Sequence, residues 1–139
     1  MPDTESFLNE NVVSGYIGFD PTADSLHIGS LVQIVILMHF QKAGHRPIAL
    51  VGGATGMIGD PSGKSDERNL LDAPTLEKNC DGIQNQLTRF LDFDPSASNA
   101  AVMVNNYNWM KDFSLIDVSR DIGKHVIVND MMYTYSLKQ

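Results

Sequence analysis

Apolar residues arrive in blocks along this chain, and the spacing within each block predicts its element. Gly15 to Phe19 is a short apolar run that breaks at Asp20-Pro21, the pattern of a strand entering a turn. Ser25 is the expected N-cap of a long apolar helix that runs to Ala43 and stops at Gly44, a residue suited to a left-handed C-terminal position. Arg46 to Val51 is continuously apolar after its first residue, which predicts a strand buried on both faces. Strand, helix and strand within residues 15–51 make a βαβ unit, and such crossovers are right-handed and parallel. The expected fold class is therefore α/β.

The blocks that follow are shorter. A second helix is predicted from Pro74 to Leu91, with Pro74 near its first turn and Leu76, Ile83, Leu87 and Phe90 on one face. Ala100 to Val104 is a third strand candidate, Asn105 to Trp109 is turn-rich, and Ser114 can cap a helix through Arg120. Asn129 can cap another. The end at Gln139 falls inside that helix-like pattern, so the chain is expected to be cut from something longer. Residues Met1 to Ser14 are polar and acidic without a clear period, which predicts an N-terminal arm over residues 1–14 and one domain over 15–139.

Composition narrows the classes. With 42% hydrophobic and 19% charged residues, the 139-residue chain is ordinary for a soluble globular domain. A formal charge of −7 argues against a surface built mainly to grip nucleic acid, so the basic cluster Lys64 with Arg68 stands out. Cys80 is the single cysteine, which excludes an internal disulfide and suits a reducing cytosol. No apolar run approaches the roughly 20 residues of a membrane span. A cytoplasmic protein without membrane contact is expected.

Candidate chemistry gathers after the two strands. Gly52 to Ser65 reads as a glycine-rich loop at the C-terminal end of a buried strand, the edge at which open α/β sheets bind ligands. Two familiar phosphate motifs fail there. Gly59 and Gly63 stand before Lys64-Ser65 with three residues between them where a Walker loop needs four, and Pro61 removes an N–H. Gly53, Gly56 and Gly59 lack the one-residue spacing of the dinucleotide fingerprint. A plain tight turn and a ligand-approaching backbone, with Thr55 and Asp60 as its polar side chains, both remain open.

His27 and Ser30 are three apart and so fall on the same side of a helix start, where unpaired N–H groups and the dipole favour a phosphate. Donors there suit the α-phosphate of a nucleotide, and Lys64 with Arg68 suit a departing pyrophosphate. The plainer alternatives are a histidine that merely caps its helix and a solvated basic loop. His39, His45 and His125 have no partners at ligand spacing and read as structural. No protein-held metal is expected; Mg²⁺ would arrive with the nucleotide.

The residues from Tyr16 to Leu71 are recognisable. Gly-Phe-Asp-Pro-Thr-Ala-Asp-Ser-Leu-His-Ile-Gly and Ala-Gly-His-Arg-Pro-Ile-Ala-Leu-Val-Gly-Gly-Ala-Thr-Gly-Met-Ile-Gly-Asp-Pro-Ser-Gly-Lys closely resemble bacterial tyrosyl-tRNA synthetases, a class I aminoacyl-tRNA synthetase family. Asn105-Asn-Tyr-Asn-Trp109 and Arg120-Asp-Ile-Gly-Lys-His125 continue the likeness. The resemblance implies a Rossmann-like, HUP-type parallel sheet with flanking helices and an incomplete second half. It implies activation of L-tyrosine with ATP and Mg²⁺ to tyrosyl-adenylate, transfer to tRNA(Tyr), and a homodimer. By matching position, Tyr16, Thr55 and Asp60 would hold tyrosine, and Gly18, Asp20 and Gly29 the nucleotide. Thr22, His27, Ser30, Lys64 and Arg68 would act on the phosphates, with Gly29 leaving room for the nucleotide.

Three departures qualify that reading. Ser30 stands where the family signature His-Ile-Gly-His ends in histidine, and the Lys-Met-Ser-Lys-Ser loop and anticodon-binding parts are absent. The tail Met131 to Lys138 also departs from the family's polar helix. The expected outcome is an N-terminal half of a catalytic domain that is weak or inactive alone and self-associates through uncovered apolar faces. A non-catalytic truncated or engineered module with weak nucleotide affinity is the rival reading. A different nucleotidyltransferase, using ATP without tyrosine, is a third.

Overall fold

Three strands form one parallel sheet in the order in which they occur in the chain. The computed structural model describes residues 3–58, 71–127 and 129. The strands are β1 (Ser14–Phe19), β2 (Arg46–Val51) and β3 (Val102–Asn105), with β2 in the middle. Register aligns Ile17 with Ala49 and Met103, and Phe19 with Val51 and Asn105. Period-2 alternation puts Tyr16, Ile48 and Val102 in a row on the opposite face, followed by Gly18, Leu50 and Val104. Pro47 lies before the first β2–β3 pair, so its missing N–H removes nothing from that ladder.

One face of the sheet carries the core. Phe19, Ala49 and Val51 cluster with Ile34 and Leu37 of helix α2 (Leu31–Lys42) and with Ile83 and Leu87 of helix α4 (Ala73–Leu87). Gly15 lies on this same face because an added Cβ would stand 3.0 Å from the Phe40 ring. The expectation that β2 is buried on both faces is corrected: Pro47, Ala49 and Val51 are buried, whereas Ile48 and Leu50 are only half-buried. Both long helices pack on one side, and the Tyr16 side of the sheet stays open.

The long first helix starts differently from expectation. Its cap is His27, not Ser25: a 3₁₀ turn over Ile28–Ser30 precedes α2, and the His27 side chain caps it. At the other end the left-handed position is as expected, with Gly44 at φ 93°. Residues Gly53–Ile58, expected as loop, form the short helix α3. The arm likewise contains a helix, α1 (Thr4–Glu10), which buries none of its residues.

Helix α4 begins under Asp72, whose carboxylate accepts from the Thr75 amide at 3.0 Å. Hydrogen bonding from the Thr75 side chain, then from its amide, holds the Asp72 carboxyl below its ordinary range. A lowered folded-state value stabilises above the ordinary carboxylate range and fades as pH falls through the lowered one. Asp72→Ala should therefore lower the urea midpoint at pH 7 and make progressively less difference as the solution is acidified below about pH 4.

The helix ends at Leu87, earlier than expected, and the chain tightens through 3₁₀-type bonds from Arg89 to Gln86 and Phe90 to Leu87. Past this point Leu91 is buried and Phe90, expected on the core face, is exposed. The Asn105–Trp109 segment contains a single helical turn, α5 (Tyr107–Met110). Ser114 does cap a helix, in a full capping box with Asp117: α6 (Leu115–Asp117) continues as a π-helical turn through Val118–Ile122. The helix expected from Asn129 lies outside the described residues. Val32, Ile36, Leu115 and Ile116 are exposed, so apolar surface is uncovered on α2 and α6 as well as on the sheet.

Candidate functional site

The C-terminal ends of all three strands meet, and backbone bonds bring them there. The Gly52 amide donates to the Phe19 carbonyl at 3.0 Å and the Asn106 amide to the Val51 carbonyl at 3.1 Å, extending both parallel ladders past their last paired residues. Asn106 Oδ1 then accepts from the Ala54 amide at 2.7 Å. This side-chain partner from another strand satisfies a donor in the first turn of α3, which is why a glycine-rich stretch becomes helical.

Two glycines are required by proximity. A Cβ on Gly52 would lie 2.9 Å from Asp20 Oδ1, so the Asp20 carboxylate sits directly beside the β2–α3 junction. A Cβ on Gly53 would collide with the Asn105 carboxamide. Thr55 joins the same group, its hydroxyl donating to the Gly52 carbonyl at 3.0 Å. The structure thus brings together Asp20, Gly52 and Thr55.

His27 has a defined tautomer. Its Nδ1 accepts from the Gly29 amide at 2.9 Å, so that nitrogen is unprotonated and Nε2 carries the N–H. The close approach depends on glycine, because a Cβ on Gly29 would stand 2.7 Å from His27 Cε1. The structural demand on Gly29 is thus set first by the imidazole folding back over it.

Tyr16 is 70% exposed on the open face of β1, and next to it on that face Gly18 has empty space where a Cβ would point. Asp20, Thr22 and His27 are exposed on the loop that follows. Ser30 is not: it is only 8% exposed and makes no side-chain cap bond to α2. The expectation of two donors presented alike at the helix start is corrected: His27 is exposed, whereas Ser30 is 8% exposed as a residue. Asp60, Lys64 and Arg68 lie outside the described residues.

A recess of about 440 Å³ opens on the other side of the sheet, between α3, α4 and α5, with Leu76, Cys80, Met103 and Asn105 in its lining. Among the described residues, its lining contains none that the resemblance assigns. Burial, and then the Asp81 carboxylate, push the Cys80 thiol up, so it stays protonated and inert. Among the described residues no cluster of His, Cys, Asp and Glu could hold a metal ion, and no helix is long and apolar enough to cross a membrane.

Sequence reasoning missed Asn79, Gln86, Asn105 and Asn106. The two adjacent asparagines after a strand were the one available signal, since carboxamides there can satisfy backbone groups that a loop leaves bare.

A parallel sheet with flanking helices, its strand ends meeting at Asp20, Gly52 and Thr55, has the Rossmann-like architecture of class I synthetase catalytic domains. Residues 8–139 match the family model of "tRNA synthetases class I (W and Y)", and the chain belongs to that family. It is 64% identical over all 139 residues to a tyrosine–tRNA ligase of Flavobacterium johnsoniae and 63% identical to one of Porphyromonas gingivalis. The chain spans 32% of the length of each of these relatives. Among solved structures, a C-terminally truncated mitochondrial tyrosyl-tRNA synthetase of Aspergillus nidulans matches with a TM-score of 0.74 at 26% identity, over 91% of this chain and 38% of that one. The corresponding Coccidioides posadasii structure matches with a TM-score of 0.70 at 30% identity, over 91% and 36%. The α/β fold and the family read from the residues are borne out.

Proposed function

We propose that residues 15–139 are the N-terminal half of a tyrosine–tRNA ligase catalytic domain, with residues 1–14 as an arm, and that the chain alone is weak or inactive. The convergence of Asp20, Gly52 and Thr55 at the strand ends, with an exposed His27 on the loop that follows β1, supports this reading. Tyr16 would hydrogen-bond the phenol of L-tyrosine. Thr55 donates its own proton to the Gly52 carbonyl and so offers lone pairs to the substrate ammonium, the group to which the resemblance also assigns Asp60. ATP, brought with Mg²⁺, would lie against Gly18, Asp20 and Gly29.

The reaction is in-line displacement at the α-phosphorus. The tyrosine carboxylate oxygen forms a bond to that phosphorus, the bond to the bridging oxygen of the β-phosphate breaks, and pyrophosphate leaves with the electron pair. No proton is transferred, so the chain's contribution is orientation and charge stabilisation. His27 Nε2–H donates to oxygens that gain charge, and Thr22, Lys64 and Arg68 take up the departing pyrophosphate. The terminal hydroxyl of tRNA(Tyr) then attacks the carbonyl carbon of the tyrosyl-adenylate; the bond from that carbon to the adenylate oxygen breaks, AMP leaves with the electron pair, and the hydroxyl proton passes to the AMP phosphate or to water. This reading carries with it a cytoplasmic location and self-association or a homodimer through the exposed apolar surface. Ser30, standing where the family signature ends in histidine, favours the second reading, a non-catalytic module with weak nucleotide affinity.

Tyrosine-dependent ATP–pyrophosphate exchange tests the proposal. It is measured on the 139-residue chain and on a chimera in which this chain replaces the matching segment of the Flavobacterium johnsoniae relative. The chain alone should stay near background, the chimera should exchange, and Lys64→Ala should lower the chimera's rate by about 10²-fold. A folded chimera without exchange would defeat the enzymatic reading. Exchange without tyrosine would point instead to another nucleotidyltransferase.

A further inference from the structure

We propose that α4 sets the conformation of the loop 20–27, with Gln86 and Asn79 as positioning residues for His27 and Thr22. The inference rests on the synthetase reading and extends it to a helix on the far side of that loop.

The loop has no ladder of its own, so its backbone groups need partners from elsewhere. One stripe of α4 supplies them. Asn79 is buried and donates from Nδ2 to the Pro21 carbonyl at 3.0 Å. Gln86 Oε1 accepts from the Leu26 amide at 2.7 Å. Between them, Gly82 lies so close that an added Cβ would collide with the Asp24 carbonyl, so the loop backbone rests directly on the helix. Residues 79, 82 and 86 are spaced three and four apart and share one face.

The two bonds bracket the stretch that matters. Asn79 fixes the chain immediately before Thr22, and Gln86 fixes it immediately before His27. Leu26 packs its side chain against the core while its amide is held by Gln86, so both rotation and translation of the His27 backbone are constrained. The Lys78–Asp24 ion pair at 3.6 Å is largely exposed and adds little. The same stripe leaves Ile83 free to face the core, so clamp and core share one helix.

Gln86→Leu removes the acceptor at similar size, and Gln86→Glu keeps an oxygen in the same place. In the 139-residue chain, amide hydrogen exchange at Leu26 should speed up markedly in Gln86→Leu and return toward the parent rate in Gln86→Glu. In the chimera, Gln86→Leu should lower the turnover of tyrosine-dependent pyrophosphate exchange by about 10- to 10²-fold, as expected for misplacement of a positioned donor by about 1 Å. The tyrosine KM should stay unchanged, since Tyr16 lies on β1 away from the clamp, and Gln86→Glu should restore most of the turnover. Unchanged Leu26 exchange, or turnover equal to the parent in Gln86→Leu, overturns the proposal. Equal losses in Gln86→Leu and Gln86→Glu overturn it too. A parent chimera without activity defeats the synthetase reading alone, and the Leu26 amide still decides whether the clamp exists.

Discussion

Ile83→Ala should lower the stability of this chain by about 2–5 kcal/mol, the range for removing a large aliphatic side chain from a packed core. Ile83 is 0% exposed and sits where α4 meets the sheet, among Phe19, Val51 and Leu87. The protein around it has limited means to compensate. Globular domains have about 5–15 kcal/mol of net stability, and this sheet buries only one of its two faces. A single cavity can therefore take most of the margin. Urea unfolding at fixed protein concentration measures the loss. Ile36→Ala is the control: Ile36 is 53% exposed on α2, and its replacement should change stability by no more than about 0.5 kcal/mol. Equal losses from the two substitutions would mean that the core is not where Ile83 places it.

Ser30→His should raise tyrosine-dependent pyrophosphate exchange in the chimera by about 10²- to 10³-fold. A preorganised donor to a developing oxyanion contributes about 2.7–4 kcal/mol, and the Ser30 hydroxyl is shorter and reaches less far than an imidazole. The change removes no cap from α2, because the Ser30 side chain makes none there. An imidazole is larger than the Ser30 hydroxyl and the residue is only 8% exposed, so the thermal midpoint is followed alongside the rate. A rise in rate with the midpoint held shows that the second histidine of the signature was the missing part. No rise in a variant that stays folded would show that position 30 is not what limits this chain.

The βαβ unit was legible because its signals are local: two apolar runs, a long apolar helix and a glycine at the left-handed position. The departures have physical causes outside any short window. Ser25 was expected as the cap from the general preference for small polar residues, yet the imidazole of His27 folds back on Gly29 and does the same work two residues later. Gly53 to Ile58 looked like a loop because glycine disfavours helix, and the Asn106 carboxamide, 52 residues from the Ala54 amide, outweighs that preference. Phe90 was assigned to the core by continuing a helical period that stops at Leu87.

The site was legible to a similar depth. Thr55 could be picked out because it follows a strand, and strand ends gather in a parallel sheet, whereas Asp20 came only from the family resemblance. Gln86 and Asn79 could not, because their partners are backbone groups 60 and 58 residues away and a polar residue on a helix announces no such partner. Ser30 was misplaced because spacing gives the azimuth of a side chain around a helix axis, whereas exposure depends on what packs against it.

Strand order has a consequence for how such a chain is made. The sheet runs β1, β2, β3 without a strand that must wait for a later one to slip between its neighbours. During synthesis, at about 5–20 residues per second, each strand can dock on its predecessor soon after it emerges. The core under α2 can thus form while β3 is still being made, and α4 closes it before β3 is complete. The row Tyr16, Ile48 and Val102 gains no covering helix from α2 or α4 during that assembly, so exposed apolar surface persists on that face of the nascent sheet.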